Sequence, residues 1–292
     1  MRPRIGAYVL PGDPVWLRES LGQYYGLLDD LVIPVPRGGI GWSGGRIPVD
    51  QCMRTIRDVD SRQIAREIVA EWIVPEDPMK GETEQRQAAI DALAQTVDWV
   101  VQIDNDEFIP RPAVLLEALE IADSLGLDAV ELPMRVLFRR TKRHVFEVVG
   151  RKGEPHHEYP GPVLVRSTVK LDRARVTTAR FLRLASPAAA SSLQLSRPPA
   201  DNETRLVDFA ASDAIVHNSW ARSTGEIRRK VASWAHSGDA NFSAYVWLRW
   251  WPVPGIWWAV REFHPFSKGL WPRLRRLPNR GLVGDTPDSG SG

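Results

Sequence analysis

Residues 97–110 read VDWVVQIDNDEFIP. An apolar run from Trp99 to Ile103 ends abruptly in the polar residues Asp104, Asn105, Asp106 and Glu107. A short, β-branched run that is bounded by acidic residues and proline predicts a buried strand. Ligands of open α/β sheets bind at the carboxyl ends of strands, which is where this acidic cluster falls.

The two aspartates of this stretch are candidates for metal binding. In extended backbone, residues two apart point the same way, so Asp104 and Asp106 would present two carboxylates to one hard cation. Such a cation takes oxygen ligands and often keeps coordination positions for substrate phosphates. The alternative interpretation is an Asx-rich turn, since Asp and Asn also bond their own backbone. An EF-hand loop is a poor fit, because Phe108 and Ile109 occupy its fifth and sixth positions.

Composition excludes several classes of protein. The chain has 292 residues, 43% of them hydrophobic, and a formal net charge of +2. This balance gives no argument for a nucleic-acid-binding protein, and we expect no nucleic-acid partner. Cys52 is the single cysteine, which excludes an intramolecular disulfide framework and a cysteine-based zinc site. No stretch of about 20 uncharged apolar residues occurs, so we expect a cytoplasmic protein that is soluble or peripheral on the inner face of the membrane.

The order of predicted elements indicates an α/β fold. Residues 4–10 and 31–35 predict strands on either side of a helix over 15–28, which is the opening of a mostly parallel sheet with crossover helices. Further helices are predicted over 51–58, 82–96 and 113–125, with Pro112 in a favoured first-turn position and Gly126 as C-cap. Strands are predicted over 129–133 and 136–140, and a strand or short helix over 64–74. The Gly-rich loop 37–45 lacks the lysine and spacing of a P-loop and is interpreted as a flexible surface loop.

The predicted organisation has three parts. Residues 1–243 form a catalytic domain with a flexible, low-complexity insertion at about 184–202. Residues 244–280 form a Trp-rich helical extension, and residues 281–292 a disordered tail. Aromatic and basic residues of the extension favour a membrane–water interface, which would give a peripheral membrane contact. The alternative is that these aromatics pack against the catalytic sheet.

A second group of polar residues follows a short strand at 214–216. His217 stands at the end of this strand, and Ser223 with Glu226 forms a capping box that begins a helix. The positions of Ile227, Val231 and Trp234 give this helix an apolar face. His217 therefore lies, like the two aspartates, at the end of a predicted strand.

Three motifs resemble those of one class of enzyme. VDWVVQIDNDEFIP resembles the Asp-X-Asp motif of GT-A-fold glycosyltransferases. IVHNSWARSTGEIRRKVASWAHSGD is similar to the His-X-Ser-Trp and Ile-Arg-X-Lys region of family-2-like glycosyltransferases and of family 17 N-acetylglucosaminyltransferases, and ETEQRQAAID to the helix before their metal motif. The resemblance covers about residues 5–240. It implies a GT-A-like, Rossmann-like sheet and a hexosyl- or N-acetylhexosaminyl-transferase that uses a UDP- or GDP-linked sugar.

The resemblance also implies roles for single residues. Asp104, Asp106 and His217 would contact a metal, Mn²⁺ or Mg²⁺, and the imidazole favours Mn²⁺. The nucleotide side would comprise Arg86, Asp104, Tyr8 and Lys230, with Arg86 and either Arg222 or Lys230 facing the diphosphate. Trp220 and Arg222 are assigned to the substrate, Trp220 as a floor for the acceptor sugar. The acceptor would be a glycan or glycolipid hydroxyl of the cell envelope.

The catalytic base has no clear motif. An inverting transfer needs a base within hydrogen-bond reach of the acceptor hydroxyl. Asp213 is the best candidate, and Asp208 and Glu158 are further acids near the motif or in the polar loop. Two alternatives stay open: a nucleotidyltransferase on a related sheet, and a protein that binds nucleotide, carbohydrate or membrane without catalysis.

Overall fold

The computed structural model describes residues 2–227 and 242–279. Lys230 and the predicted tail 281–292 therefore lie outside the described residues. The first part of the chain alternates strands with helices: β1 Ile5–Tyr8, α1 Leu17–Tyr24, β2 Asp30–Pro36, α2 Val49–Val59, β3 Ala65–Ala70, α3 Pro78–Leu93, β4 Trp99–Val101, β5 Glu107–Phe108, α4 Ala113–Ser124 and β6 Ala129–Glu131. The second part is richer in strands: β7 Met134–Arg140, β8 His144–Val149, β9 Leu164–Arg166, β10 Phe181–Leu184, β11 Glu203–Leu206, β12 Ile215–His217, two short helices α5 Phe242–Tyr245 and α6 Val253–Ile256, and β13 Arg273–Pro278.

The larger of the two sheets is central and has eight strands. Its order is β11-β10-β6-β9-β4-β1-β2-β3. All its pairings are parallel except those of β9, which runs antiparallel to both β4 and β6. The predicted α/β fold with a mostly parallel sheet is thereby confirmed.

Helices cover both faces of this sheet. On one face the apolar residues of α1, α2 and α4 form the main hydrophobic core, with Leu21, Ile56 and Leu115 fully or almost fully buried. On the other face α3 packs Ile90 and Leu93 against the strands. The sequence predicted these helices from their apolar spacing, and Gly126 ends α4 with a φ of 61° as the C-cap prediction requires.

A second, five-stranded sheet has the order β13-β8-β7-β12-β5. The chain enters it directly from β4, so the loop 102–106 joins the two sheets. The Trp-rich segment belongs to this sheet, because β13 pairs antiparallel with β8 along its whole length. The predicted helical extension is thus a set of short helical turns followed by a strand, and its boundary as a separate domain stays a prediction.

Residues 144–206 contain structure that the sequence analysis did not predict. Strands β8, β9, β10 and β11 fall in this range, which was left largely without elements. The segment 184–202 begins in β10, forms a 3₁₀ turn at Pro187–Ala189 and buries Ser192, whose hydroxyl accepts a hydrogen bond from the backbone of His157 at 2.8 Å. Its predicted flexibility stays a prediction.

The helices of residues 2–227 and 242–279 are short or polar. None of them combines the length and the apolar character that crossing a bilayer would need.

Two glycines offer a matched test of packing on the helices. A Cβ at Gly81 in α3 would lie 2.3 Å from the Trp72 carbonyl oxygen, whereas a Cβ at Gly22 in α1 would meet no atom within 4 Å. We expect Gly81→Ala to lower the free energy of unfolding by about 1–3 kcal/mol through overpacking. Gly22→Ala should raise it by about 0.5–1 kcal/mol, because alanine favours the helix. Urea unfolding measures both, and equal effects of the two substitutions would contradict this view of α3.

Candidate active site

The order in which successive strands are added to the central sheet reverses between β1 and β4. The chain runs outward from β1 to β2 and β3, then returns to place β4 on the other side of β1. In doubly wound sheets the loops beyond this switch point diverge, and the crevice between them binds ligands. A cleft of about 1070 Å³ lies there. Its wall includes the loops after β1 and β4, parts of the Gly-rich loop, α3 and Arg222.

Asp104 lines this cleft with a third of its side chain exposed. Its Oδ1 accepts a hydrogen bond of 2.8 Å from Arg86 Nη2, and Arg175 Nη1 lies 4.0 Å from Oδ2. Burial raises the pKa of the Asp104 carboxyl, but the charges of Arg86 and Arg175 outweigh burial and hold the pKa below its ordinary value. The group is therefore an anion at neutral pH.

Asp106 supplies the second carboxylate of the motif to the cleft lining. Its Oδ2 accepts a hydrogen bond of 2.7 Å from Arg222 Nη2, and His217 Nε2 lies 3.6 Å from Oδ1. Arg222 also binds Asp13 of the loop after β1, with 2.5 Å between Nη1 and Oδ2. Burial lowers the pKa of Arg222, but Asp106 and Asp13 raise it above its ordinary value, so the guanidinium stays charged although it is buried.

Asn105 adds a further link between the two loops. Its Nδ2 donates to the carbonyl oxygens of Leu10 at 3.0 Å and Asp13 at 2.7 Å. Together with Arg222 this amide fixes the loop after β1 against the loop after β4. The chain does turn here, as the alternative interpretation expected, because the Glu107 amide donates to the Asp104 carbonyl oxygen at 2.9 Å. The Asn105 amide, in addition, reaches residues more than 90 positions away in the chain.

A buried ion pair lies directly behind the aspartates. Glu107 is fully buried, and both of its carboxylate oxygens bind Arg175, at 2.8 and 2.6 Å. The backbone amide of Asp104 donates to Glu107 Oε2 at 3.0 Å. Arg175 was not predicted as a site residue, and its position between β9 and β10 gives no sequence signal that links it to Glu107.

Other predicted residues lie beside the cleft. Tyr8 is buried; its hydroxyl donates to Gln102 Oε1 at 2.9 Å and accepts from Arg86 Nη1 at 3.2 Å. The Tyr8 hydroxyl therefore helps to hold the Arg86 guanidinium in position. His217 reaches Asp106 because β12 pairs His217 with Glu107 in register.

Trp220 and Asp213 are not brought to the cleft. Trp220 is 3% exposed and packs on Phe138 and Tyr245 in the core of the second sheet, so its ring is not available as a floor for an acceptor. Asp213 ends a 3₁₀ turn before β12, and its carboxylate accepts a hydrogen bond of 2.8 Å from Arg111 Nε. Both residues were predicted as site residues and lie close to His217 in sequence. Neither lines the cleft, because closeness in sequence does not fix the direction of a side chain.

Glu158, the acid of the polar loop, also lies elsewhere. Its carboxylate accepts a hydrogen bond from Trp271 Nε1, and burial raises the pKa of Glu158 to about 7. The Gly-rich loop, in contrast, contributes Gly41, Trp42 and Arg46 to the cleft wall, where Trp42 Nε1 donates to Gln85 Oε1 at 2.7 Å. Its interpretation as a surface loop missed this role.

The donor atoms at Asp104 and Asp106 suit a hard cation, since both residues supply carboxylate oxygens beside the cleft. In residues 2–227 and 242–279, no three side chains of His, Cys, Asp or Glu converge as a group that would hold a metal. A cation would accordingly depend on these two carboxylates and on oxygens of its substrate. The contact of His217 with such a cation stays a prediction.

Comparisons with known proteins include distant structural likenesses. No protein-family model and no curated protein matches the chain. Among solved structures, the mannosyltransferase PcManGT from Pyrobaculum calidifontis in complex with GDP-Man and Mn²⁺ is 16% identical over 45% of this chain and 36% of that one, with a TM-score of 0.32. A mycobacterial protein is 16% identical over 47% of this chain and 42% of that one, with a TM-score of 0.26.

A third solved structure belongs to a different class of enzyme. It is 4-diphosphocytidyl-2C-methyl-D-erythritol synthase from Anaerococcus prevotii, 8% identical over 57% of this chain and 73% of that one, with a TM-score of 0.30. The chain thus spans less than half of the first two structures. Likenesses at these TM-scores carry no weight for the activity.

The buried ion pair generates a prediction about stability. Arg175→Ala would leave the Glu107 carboxylate buried without its guanidinium, so we expect it to lower the free energy of unfolding by about 3–5 kcal/mol. Arg173→Ala is the matched control, because that arginine is exposed two residues earlier, and its effect should stay within about 0.5 kcal/mol. Urea unfolding measures both, and similar stabilities of the two variants would show that the pair does not anchor the loop.

Proposed function

We propose that the chain is a metal-dependent glycosyltransferase that uses a nucleotide-diphosphate sugar. The supporting observation is the convergence of Asp104, Asp106, Arg86 and Arg222 at the switch-point cleft, from three separate regions of the sequence. The cleft lining holds more carboxylates than guanidinium groups, so a divalent cation would offset this excess of negative charge when a diphosphate binds. The GT-A resemblance of the motifs points to the same class.

Each charged group has a role in this proposal. Asp104 and Asp106 would hold Mn²⁺ or Mg²⁺, which supplies positive charge opposite the diphosphate. Arg86 and Arg222 would supply positive charge beside the diphosphate from the cleft wall, where both guanidinium groups are buried and bound to carboxylates. Both are already held in place by carboxylates, so little reorganisation is needed when charge develops on the leaving diphosphate. The acceptor hydroxyl, of a glycan or glycolipid, would attack the anomeric carbon.

The base in this proposal is Glu226 rather than Asp213. Glu226 lines the cleft, and its Oε2 accepts a hydrogen bond of 2.7 Å from the Ser223 amide, as predicted for the capping box. Asp13, Glu82, Asp104 and Asp106 each form an ion pair with Arg86 or Arg222, so their carboxylate oxygens are already engaged. A base must accept a proton from the acceptor, and within residues 2–227 and 242–279 Glu226 is the cleft acid that forms no ion pair with an arginine.

The donor site is tested by thermal-shift titration with UDP and GDP, each with Mn²⁺ and with EDTA. A nucleotide at about a hundred times its Kd stabilises the native state by about 2.7 kcal/mol, which raises Tm. We expect one nucleotide to give this shift only with Mn²⁺, and Asp104→Asn/Asp106→Asn to abolish it. Asp213→Asn is the control, since its side chain lies outside the cleft lining, and it should respond as the wild type does.

Turnover separates the enzyme from a binding protein. With the donor named by the titration, release of nucleoside diphosphate is followed with a glycan or glycolipid acceptor. Loss of release in Glu226→Gln with unchanged nucleotide binding is the result we expect. Absence of any nucleotide-dependent shift in the folded protein would refute the proposal, and a shift without release would favour the non-catalytic alternative.

A further inference from the structure

The Trp-rich segment 244–279 divides its aromatic side chains between interior and surface. Trp250 is fully buried, and its Nε1 donates to the carbonyl oxygens of Phe138 at 3.0 Å and Trp220 at 2.8 Å. Phe263 and Trp271 join it in the core of the second sheet. This inner set shows that the segment is folded onto the protein, as the core-packing alternative requires.

The outer set is apolar and exposed. It consists of Leu248, Trp251, Ile256 and Trp258, with exposed fractions of 71%, 54%, 43% and 58%. The rings of Trp251 and Trp247 lie 5.9 Å apart at an angle of 46°, and Trp258 lies edge-on to Trp257 at 6.3 Å. Several large apolar side chains exposed within residues 248–258 indicate an interaction surface, because their contact with water is unfavourable.

The exposed charged side chains of the segment itself have one sign. Exposed basic side chains occur at Arg249, Arg261, Lys268 and Arg276. From 242 to 279 the sequence contains one acidic residue, Glu262, which binds Arg151 at 2.6 Å. Tryptophan is favoured at the level of lipid headgroups, and basic side chains are attracted to anionic lipids.

We propose that the face formed by Leu248, Trp251, Ile256 and Trp258 docks on the surface of an anionic phospholipid bilayer. The exposed tryptophans would enter the headgroup region, while the surrounding basic side chains would contact lipid phosphates. The single sign of charge matches an anionic lipid surface.

Docking here has a consequence for the cleft. Trp250 binds the carbonyl oxygen of Trp220, which stands two residues before the cleft residue Arg222. Trp251 of the docking face therefore directly follows a buried residue that contacts the chain two positions before Arg222. A lipid-linked acceptor is the substrate class that this arrangement favours, a step that rests on the proposed function.

Vesicle sedimentation tests the docking face on the full chain. The probes are vesicles of phosphatidylcholine alone and of phosphatidylcholine with phosphatidylglycerol, at low and high salt. We expect binding to the anionic vesicles that weakens with salt. Trp251→Ser/Trp258→Ser should reduce the partition coefficient on the order of tenfold or more. The matched control is Leu193→Ser/Val207→Ser, which removes apolar side chains of similar exposure outside the segment and should bind as the wild type does.

A second variant keeps the test independent of tryptophan packing. Arg249→Glu/Lys268→Glu leaves the apolar face intact and should lose binding to anionic vesicles by charge alone. Wild-type protein that does not sediment with anionic vesicles would overturn the proposal, as would equal binding of the tryptophan variant and its control. A dimer in light scattering that Trp251→Ser/Trp258→Ser converts to monomer would also overturn it, in favour of a second copy. Nucleotide binding is measured separately, so failure of the donor site does not affect this result.

Discussion

The ion pair between Glu107 and Arg175 sets the geometry of the cleft. Glu107 is the first residue of β5, so its backbone is fixed by pairing with His217 of β12, and its side chain is fixed by Arg175. A buried carboxylate without its partner costs several kcal/mol, which disfavours any other path for the loop between the sheets. The backbone amide of Asp104 is bound to the same carboxylate. The positions of both aspartates therefore follow from a residue that does not itself line the cleft.

Charge in the cleft is arranged as alternating carboxylates and guanidinium groups. Arg86 lies between Glu82 and Asp104, and Arg222 between Asp13 and Asp106. Each arginine is almost completely buried, so its charge acts through a medium of low polarity and is strong at short range. A polyanionic ligand that enters with a cation would find both signs of charge already oriented. This arrangement explains why the arginines remain charged in spite of burial.

The sequence predictions that the structure confirms depend on residues close together in the chain. The features that were missed depend on contacts between residues far apart in the chain. The apolar run of β4, the C-cap at Gly126 and the capping box of Ser223 and Glu226 each depend on neighbours within a few positions, and the structure shows all three. Arg175 and Glu107 are 68 residues apart, and no periodicity in one sequence reveals such a pair. The antiparallel strand β9 was missed for the same reason, because it is three residues long and has its partners elsewhere in the chain.

The site residues near His217 show a related limit. Asp213, Trp220 and Arg222 lie within a short distance of the same strand, yet the cleft receives only Arg222. Trp220 packs in the apolar core between the second sheet and the Trp-rich segment. Trp250 of that segment lies in the same core and donates a hydrogen bond to the Trp220 carbonyl oxygen. The segment's inner side chains are thereby committed to packing, whereas Trp251 and Trp258 are not part of that core. Their exposure needs another physical reason, and an anionic lipid surface supplies one that also explains the basic residues around them.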